Sequence, residues 1–281
     1  MKQWHPLFAR LLRPLMEHSY DMYTDVPVGD LPRQADILLL RRKNVLSNPF
    51  EGVWRFLSPW NVLEFKGPSV KAQRHDLDSL VELGLAITRR LNEQAAKEGK
   101  RQSPPGEVSF WYLANHLSSS FIQRCQLRIG RVEAWESGLW HGELLNHPLY
   151  FVSRADLPVE SDSIPLHLVA EEPVATATSV GRYLLDHDEL WKYYGEWFAA
   201  LHPAAWDEVK TMAAAKNKKF GISLDPIIEQ VGIKELIKRI SAERFFVEEG
   251  GLRMIAHQVP MKKLLSGLTA AQRQELKKLL K

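Results

Sequence analysis

The chain has 281 residues, 45% hydrophobic and 25% charged, enough for one large globular domain or two modest ones. Its one cysteine, Cys125, excludes an intramolecular disulfide and any multi-cysteine metal site, and accords with a reducing compartment. Lys and Arg number 37 against 34 Asp and Glu, so the net charge of +3 identifies no partner, and no stretch approaches the roughly 18 apolar residues of a spanning helix.

Leu7, Phe8, Leu11, Leu12, Leu15 and Met16 recur at helical spacing and predict a helix over 6–18, with Pro14 as the obstacle. His5, Pro6, Arg10 and Arg13 interrupt this stretch, which reads as a folded helix rather than a signal peptide; a soluble, cytoplasmic protein is expected. Residues 20–28 read as a strand, followed by a turn at Gly29-Asp30-Leu31-Pro32. Residues 35–40 form an apolar run of strand length, buried on both faces. A loop leads to a further strand over 60–66, closed by Gly67-Pro68.

Helical spacing returns over 73–92, where Leu77, Leu80, Val81, Gly84, Ile87 and Leu91 form one stripe. A polar linker spans 97–106, and strands are expected over 108–113, 130–135, 149–153 and 164–169. After residue 172 the pattern changes. From Val180 onward helices dominate, with breaks at His202-Pro203, Asp225-Pro226 and Gly250-Gly251 and a final helix capped by Thr269 and Gln272. Two regions follow: an α/β part over 1–172 and a helical part over 173–281. In the tail, Lys262, Lys263, Arg273, Lys277, Lys278 and Lys281 face one acid, Glu275; this suits an acidic partner or a solvated helix face. The leucine-rich patterns of the second part suit a homodimer or simple core coverage equally well.

The residues that carry chemistry are Asp36, Glu64 and Lys66. Strand side chains alternate, so Glu64 and Lys66 share a face while Leu63 and Phe65 take the other. Asp36 opens a strand whose next four residues are apolar, a costly place for a carboxylate that binds nothing. If the two strands pair, both carboxylates and the ammonium converge at one sheet end. Two carboxylates suit Mg²⁺ (or Mn²⁺), which polarises a phosphoryl oxygen while Lys66 orients water or offsets charge: a recipe for phosphodiester hydrolysis. The bland alternative is a structural ion pair. Glu-x-Lys recurs at Glu98/Lys100, Glu208/Lys210 and Glu275/Lys277, but only Glu64/Lys66 lies on a buried strand behind a strand-borne Asp.

Gln73 and His75 open the next helix and reach toward the same site, His75 as phosphate ligand, proton shuttle or mere surface residue. Arg41, Arg42 and Lys43 leave the Asp36 strand as candidate nucleic-acid backbone contacts or a solvated turn. His141, Glu143 and His147 miss the register of a zinc helix, Cys125 reads as a packed thiol, and Trp135, Trp140, Trp191, Trp197 and Trp206 read first as core.

The order helix, strand, Asp-strand, Glu-x-Lys strand, helix, strand resembles the PD-(D/E)xK nuclease superfamily, in particular its recombination-promoting nuclease and putative transposase proteins. The residues that carry the resemblance are Asp21-Met22-Tyr23-Thr24-Asp25-Val26-Pro27, Arg33-Gln34-Ala35-Asp36-Ile37-Leu38-Leu39, Leu63-Glu64-Phe65-Lys66-Gly67-Pro68 and Asp76-Leu77-Asp78-Ser79-Leu80. It implies a restriction-endonuclease-like mixed sheet flanked by helices and metal-dependent cleavage of DNA. Asp36 and Glu64 would be metal ligands and Lys66 would stand at the attacking water. Glu17 sits where a helix-borne Glu completes such sites. The long span from Asp36 to Glu64 and the lack of a strongly basic first part depart from the pattern. The competing expectation is a catalytically silent nuclease-fold module for nucleic-acid or protein interaction.

Overall fold

In the computed structural model, which describes residues 4–24, 37–43, 48–73, 75–216 and 218, the chain opens with helix α1 (Trp4–Met16). Pro14 lies inside it and lacks a backbone donor, at a cost of about 3 kcal/mol. The helix persists because Leu7, Phe8, Leu11, Leu12 and Met16 are buried along one side. At about 1.5–3 kcal/mol for each large apolar side chain, that stripe outweighs the proline.

Three strands follow, β1 (Tyr20–Thr24), β2 (Ile37–Arg42) and β3 (Trp60–Phe65), then α2 (Asp76–Lys97) and β4 (Val108–Ala114). Next come α3 (Ser119–Ile129) and strands β5 (Val132–Glu136), β6 (Leu139–Leu144) and β7 (His147–Ser153). The sheet order is β1-β2-β3-β4-β7-β6-β5. β3, β4 and β7 run parallel and every other pairing is antiparallel. Parallel pairing on both sides explains why β4 reads as an apolar run broken only by Ser109 and is buried at all seven positions. At the β5 end the register slips between Ala134 and Glu136, a bulge that leaves Trp135 without an opposite partner.

The pleat divides the core in two. Leu38, Leu40, Leu63, Phe65, Trp111, Leu113 and Val152 face α1, while Leu39, Val62, Phe110, Tyr112, Leu149 and Phe151 face α2 and α3. Gly84 lets α2 approach: a Cβ there would lie 2.5 Å from the Phe110 ring.

The remaining helices are α4 (Ile164–Leu168), α5 (Val174–Asp186), α6 (Asp188–Leu201) and α7 (Pro203–Ala215). Val180, Leu184, Phe198 and Val209 join the α1-side core, so one apolar cluster runs across residue 172. The strand expected over 164–169 is α4 instead. Pro165 in its first turn favours helix, and a short run buried at every position, His167 included, carries no period that distinguishes the two. Helix α3 and strand β6 had no counterpart in the sequence reading, although Ser118 caps α3 by accepting from the Phe121 N–H and Gly130 ends it with φ +89°. The turn at Gly29-Asp30-Leu31-Pro32, the breaks at Asp225-Pro226 and Gly250-Gly251, the basic tail and its capping box lie outside the described residues. None of the described helices is long and apolar enough to cross a membrane.

Candidate functional site

Glu64 stands opposite Tyr112 in the parallel β3–β4 ladder, on the face that α2 covers. Lys66 follows just past the strand, its N–H donating to Leu113 O at 2.9 Å. Its side chain turns back over the sheet end, with Nζ 2.6 Å from Glu64 Oε1 and 3.0 Å from Asp76 Oδ1. Asp76 is the first residue of α2, where the helix dipole favours a carboxylate. Its Oδ2 accepts from the Tyr112 hydroxyl at 2.6 Å and from the Gln73 N–H at 2.6 Å. The cluster is sheltered: side-chain exposures are 11% for Glu64, 21% for Lys66 and 4% for Asp76.

The electrostatics follow from these contacts. Burial pulls the Lys66 ammonium down, but Glu64 and then Asp76 outweigh it and hold its pKa above the ordinary lysine value. Burial pushes Asp76 up, yet the Tyr112 hydroxyl, the Gln73 N–H and Lys66 together hold it below the usual carboxylate range. Tyr112 is raised, by burial first and by the Asp76 carboxylate second. Lys66 is therefore a held cation, not a base.

The expected site residues separate into groups. Glu64 and Lys66 come together as the alternation demands. Asp36 lies outside the described residues; Ile37, which follows it in the chain, pairs with Glu64. Arg41 pairs with Trp60 at the other end of β3, so Arg41, Arg42 and Lys43 sit about 13 Å along the strand from Glu64 and do not join it. Arg42 is engaged internally, donating to Leu57 O and the Tyr20 hydroxyl, and Lys43 donates to Glu17 O. That contact also puts Glu17 at the far end, away from the Glu64 cluster. Gln73 contributes its backbone N–H, while its amide side chain turns to Lys71 O. His75 is exposed at the N-cap position of α2, 3.9 Å from Asp76 Oδ1, and its side chain caps nothing.

Asp76 and Tyr112 escaped the sequence reading. The available signal was an acid at a helix start ten residues after Lys66, and a phenol tip in an otherwise apolar strand. Glu64 and Asp76 offer hard oxygen donors of the type Mg²⁺ or Mn²⁺ prefers, but the Lys66 ammonium lies between them. Among the described residues no three His, Cys, Asp or Glu side chains converge for a metal ion. His141, Glu143 and His147 fall on a β-hairpin, where His147 Nδ1 lies 2.9 Å from Val108 O and its ring stacks on Phe110. Cys125 is buried and burial pushes its thiol up to about 12. Among the tryptophans, Trp191 is core, whereas Trp135 is 42% exposed, stacks on His141 and meets the Phe56 ring at a tilt.

Neither the protein-family models, the curated proteins nor the solved structures contain a match to this chain.

Proposed function

We propose that this chain is a restriction-endonuclease-like, metal-dependent hydrolase of DNA phosphodiester bonds, working in the cytoplasm. The observation that carries the reading is the Glu64–Lys66 pair, facing one way at the carboxyl end of β3 and beside the strand that Asp36 precedes. The element order α1-β1-β2-β3-α2-β4 and the antiparallel β1-β2-β3 meander beside parallel β4 accord with the resemblance read from the sequence.

In this reading Asp36 and Glu64 would hold Mg²⁺ or Mn²⁺. When bound, the cation supplies Lewis-acid polarisation of a phosphoryl oxygen. Lys66 offsets negative charge as it develops on the phosphoryl oxygens, a role its raised pKa suits because the ammonium persists at neutral pH. Asp76 and Tyr112 fix the ammonium in place before substrate arrives. The test is cleavage of plasmid and oligonucleotide DNA with Mg²⁺ or Mn²⁺, wild type beside Glu64→Ala and Asp36→Ala, with EDTA as control. Cleavage lost in both variants and in chelator is expected; cleavage that survives Glu64→Ala sinks the site.

A second reading has its own observation. Lys66 is already neutralised by two carboxylates, the arrangement of a structural ion pair, which suits a catalytically silent nuclease-fold module for nucleic-acid or protein interaction. Thermal stability separates the two: a live site gains stability with Mn²⁺ by mass action, and a silent one ignores both metal and chelator.

A further inference from the structure

Breaking a phosphodiester P–O bond leaves an alkoxide, which departs slowly unless a proton reaches it in the transition state. Lys66 is poorly suited to give that proton, because Glu64 and Asp76 hold it. A second titratable cluster lies at the same sheet end. β4 ends at Ala114, beside the position of Lys66, and His116 follows two residues later, on the order of 8–10 Å from Lys66 along the sheet edge.

His116 is held far more firmly than an ordinary surface histidine. Its Nδ1 lies 3.0 Å from Asp156 Oδ2, which also accepts from the Ser153 hydroxyl. Ser153 is fully buried at the end of β7, and its Oγ accepts the Leu117 N–H at 3.1 Å. On the other side, Asn115 O accepts the Ala155 N–H, and the Asn115 amide pairs both ways with the Glu171 backbone. The segment bearing the imidazole is thus pinned on both flanks, while the ring itself is 65% exposed.

His116 lines a cavity of about 450 Å³ together with Pro68, Ser69, Lys71 and Ser118, large enough for a nucleotide-sized group. The wall formed by residues 68–72 belongs to the loop that joins Lys66 to Asp76, so cavity and cluster share a boundary. The charged groups facing His116 are Asp156 from the turn after β7, Lys71 from that loop and Glu171 from the segment after α4. Among the described residues Lys71 forms no ion pair, which leaves its ammonium available to a phosphate.

We propose that His116 is the general acid of the phosphodiester hydrolysis proposed above, on which this inference rests, with Asp156 orienting it and Lys71 gripping the leaving-side nucleotide. Water attacks phosphorus and loses a proton to solvent. The P–O bond to the leaving nucleoside breaks, its electron pair stays on the leaving oxygen, and that oxygen takes the proton from His116 Nε2. Solvent then reprotonates the imidazole.

A leaving group that needs no proton isolates this step. Wild type and His116→Gln are compared on an oligonucleotide and on the same strand with a bridging sulfur at the mapped cleavage position, which leaves as a thiolate. The expected result is a loss of about 10²–10⁴-fold on the all-oxygen strand and no loss on the sulfur strand. Asp156→Asn should show the same pattern, more weakly. Equal slowing of His116→Gln on both strands, or on neither, overturns the role of His116 alone. Wild type that cleaves neither strand with Mg²⁺ or Mn²⁺ overturns the hydrolase reading and this inference with it.

Discussion

Two carboxylates outweigh the burial that would otherwise lower the pKa of Lys66, and Asp76 keeps its charge because three donors converge on it. The signs are opposite and so are the pH windows. Asp76, lowered on folding, adds stability that is complete above its ordinary pKa of about 3.9 and is lost as pH falls through its lower folded value. Lys66, raised on folding, adds stability below about 10.4 that is lost as pH rises through its higher folded value. Asp76→Asn should therefore lower stability at pH 7 by about 1–3 kcal/mol, the usual cost of a buried donor left poorly matched. It should also flatten the loss of stability in acid. Urea midpoints at pH 7 and at pH 3 check both; an unchanged acid slope would mean that Asp76 is not ionised in the fold. Glu64 and Lys66 could be read from the sequence because alternation on a strand is a local property. Asp76 could not, because its place depends on where a ten-residue connection delivers the start of α2.

The elements that were legible are those whose period is unambiguous. The stripe over 73–92 became α2, and the alternation over 60–66 became β3. Where a short run is buried at every position, as in α4, the alternation of Ile164, Leu166 and Leu168 imitates a strand, and tertiary burial decides. Gly84 shows the reverse: it looks like a weak point in a helix, yet it is the seat of the Phe110 ring. Gly84→Ala should gain about 1 kcal/mol in helix propensity and lose more through overpacking, which typically costs about 1–3 kcal/mol. A lowered thermal midpoint for Gly84→Ala is the expected outcome, and a raised one would mean that Phe110 and α2 yield without cost.

At the scale of the molecule, the change of pattern near residue 172 marks a switch of secondary structure within one core. Ile164, Leu166 and Leu168 are fully buried in the same cluster as Val180, Leu184 and Phe198. A chain ending at residue 172 should therefore lose its cooperative thermal transition and its near-ultraviolet dichroism, whereas a sharp transition near the full-length midpoint would show that the first part folds alone. Sequence patterning marks where elements change type but not which surfaces they share, because shared burial is set by long-range packing. The bulge at Trp135 has a consequence of another kind. A regular, flat strand at the β5 end of the sheet would present an open ladder to any neighbouring chain at high concentration. The extra residue twists that border, and the ion pairs of Arg131 with Glu133 and of Arg55 with Glu136 place charges along it. The same irregularity that spoils the pairing of one residue thus makes that border a poor template for strand pairing between copies.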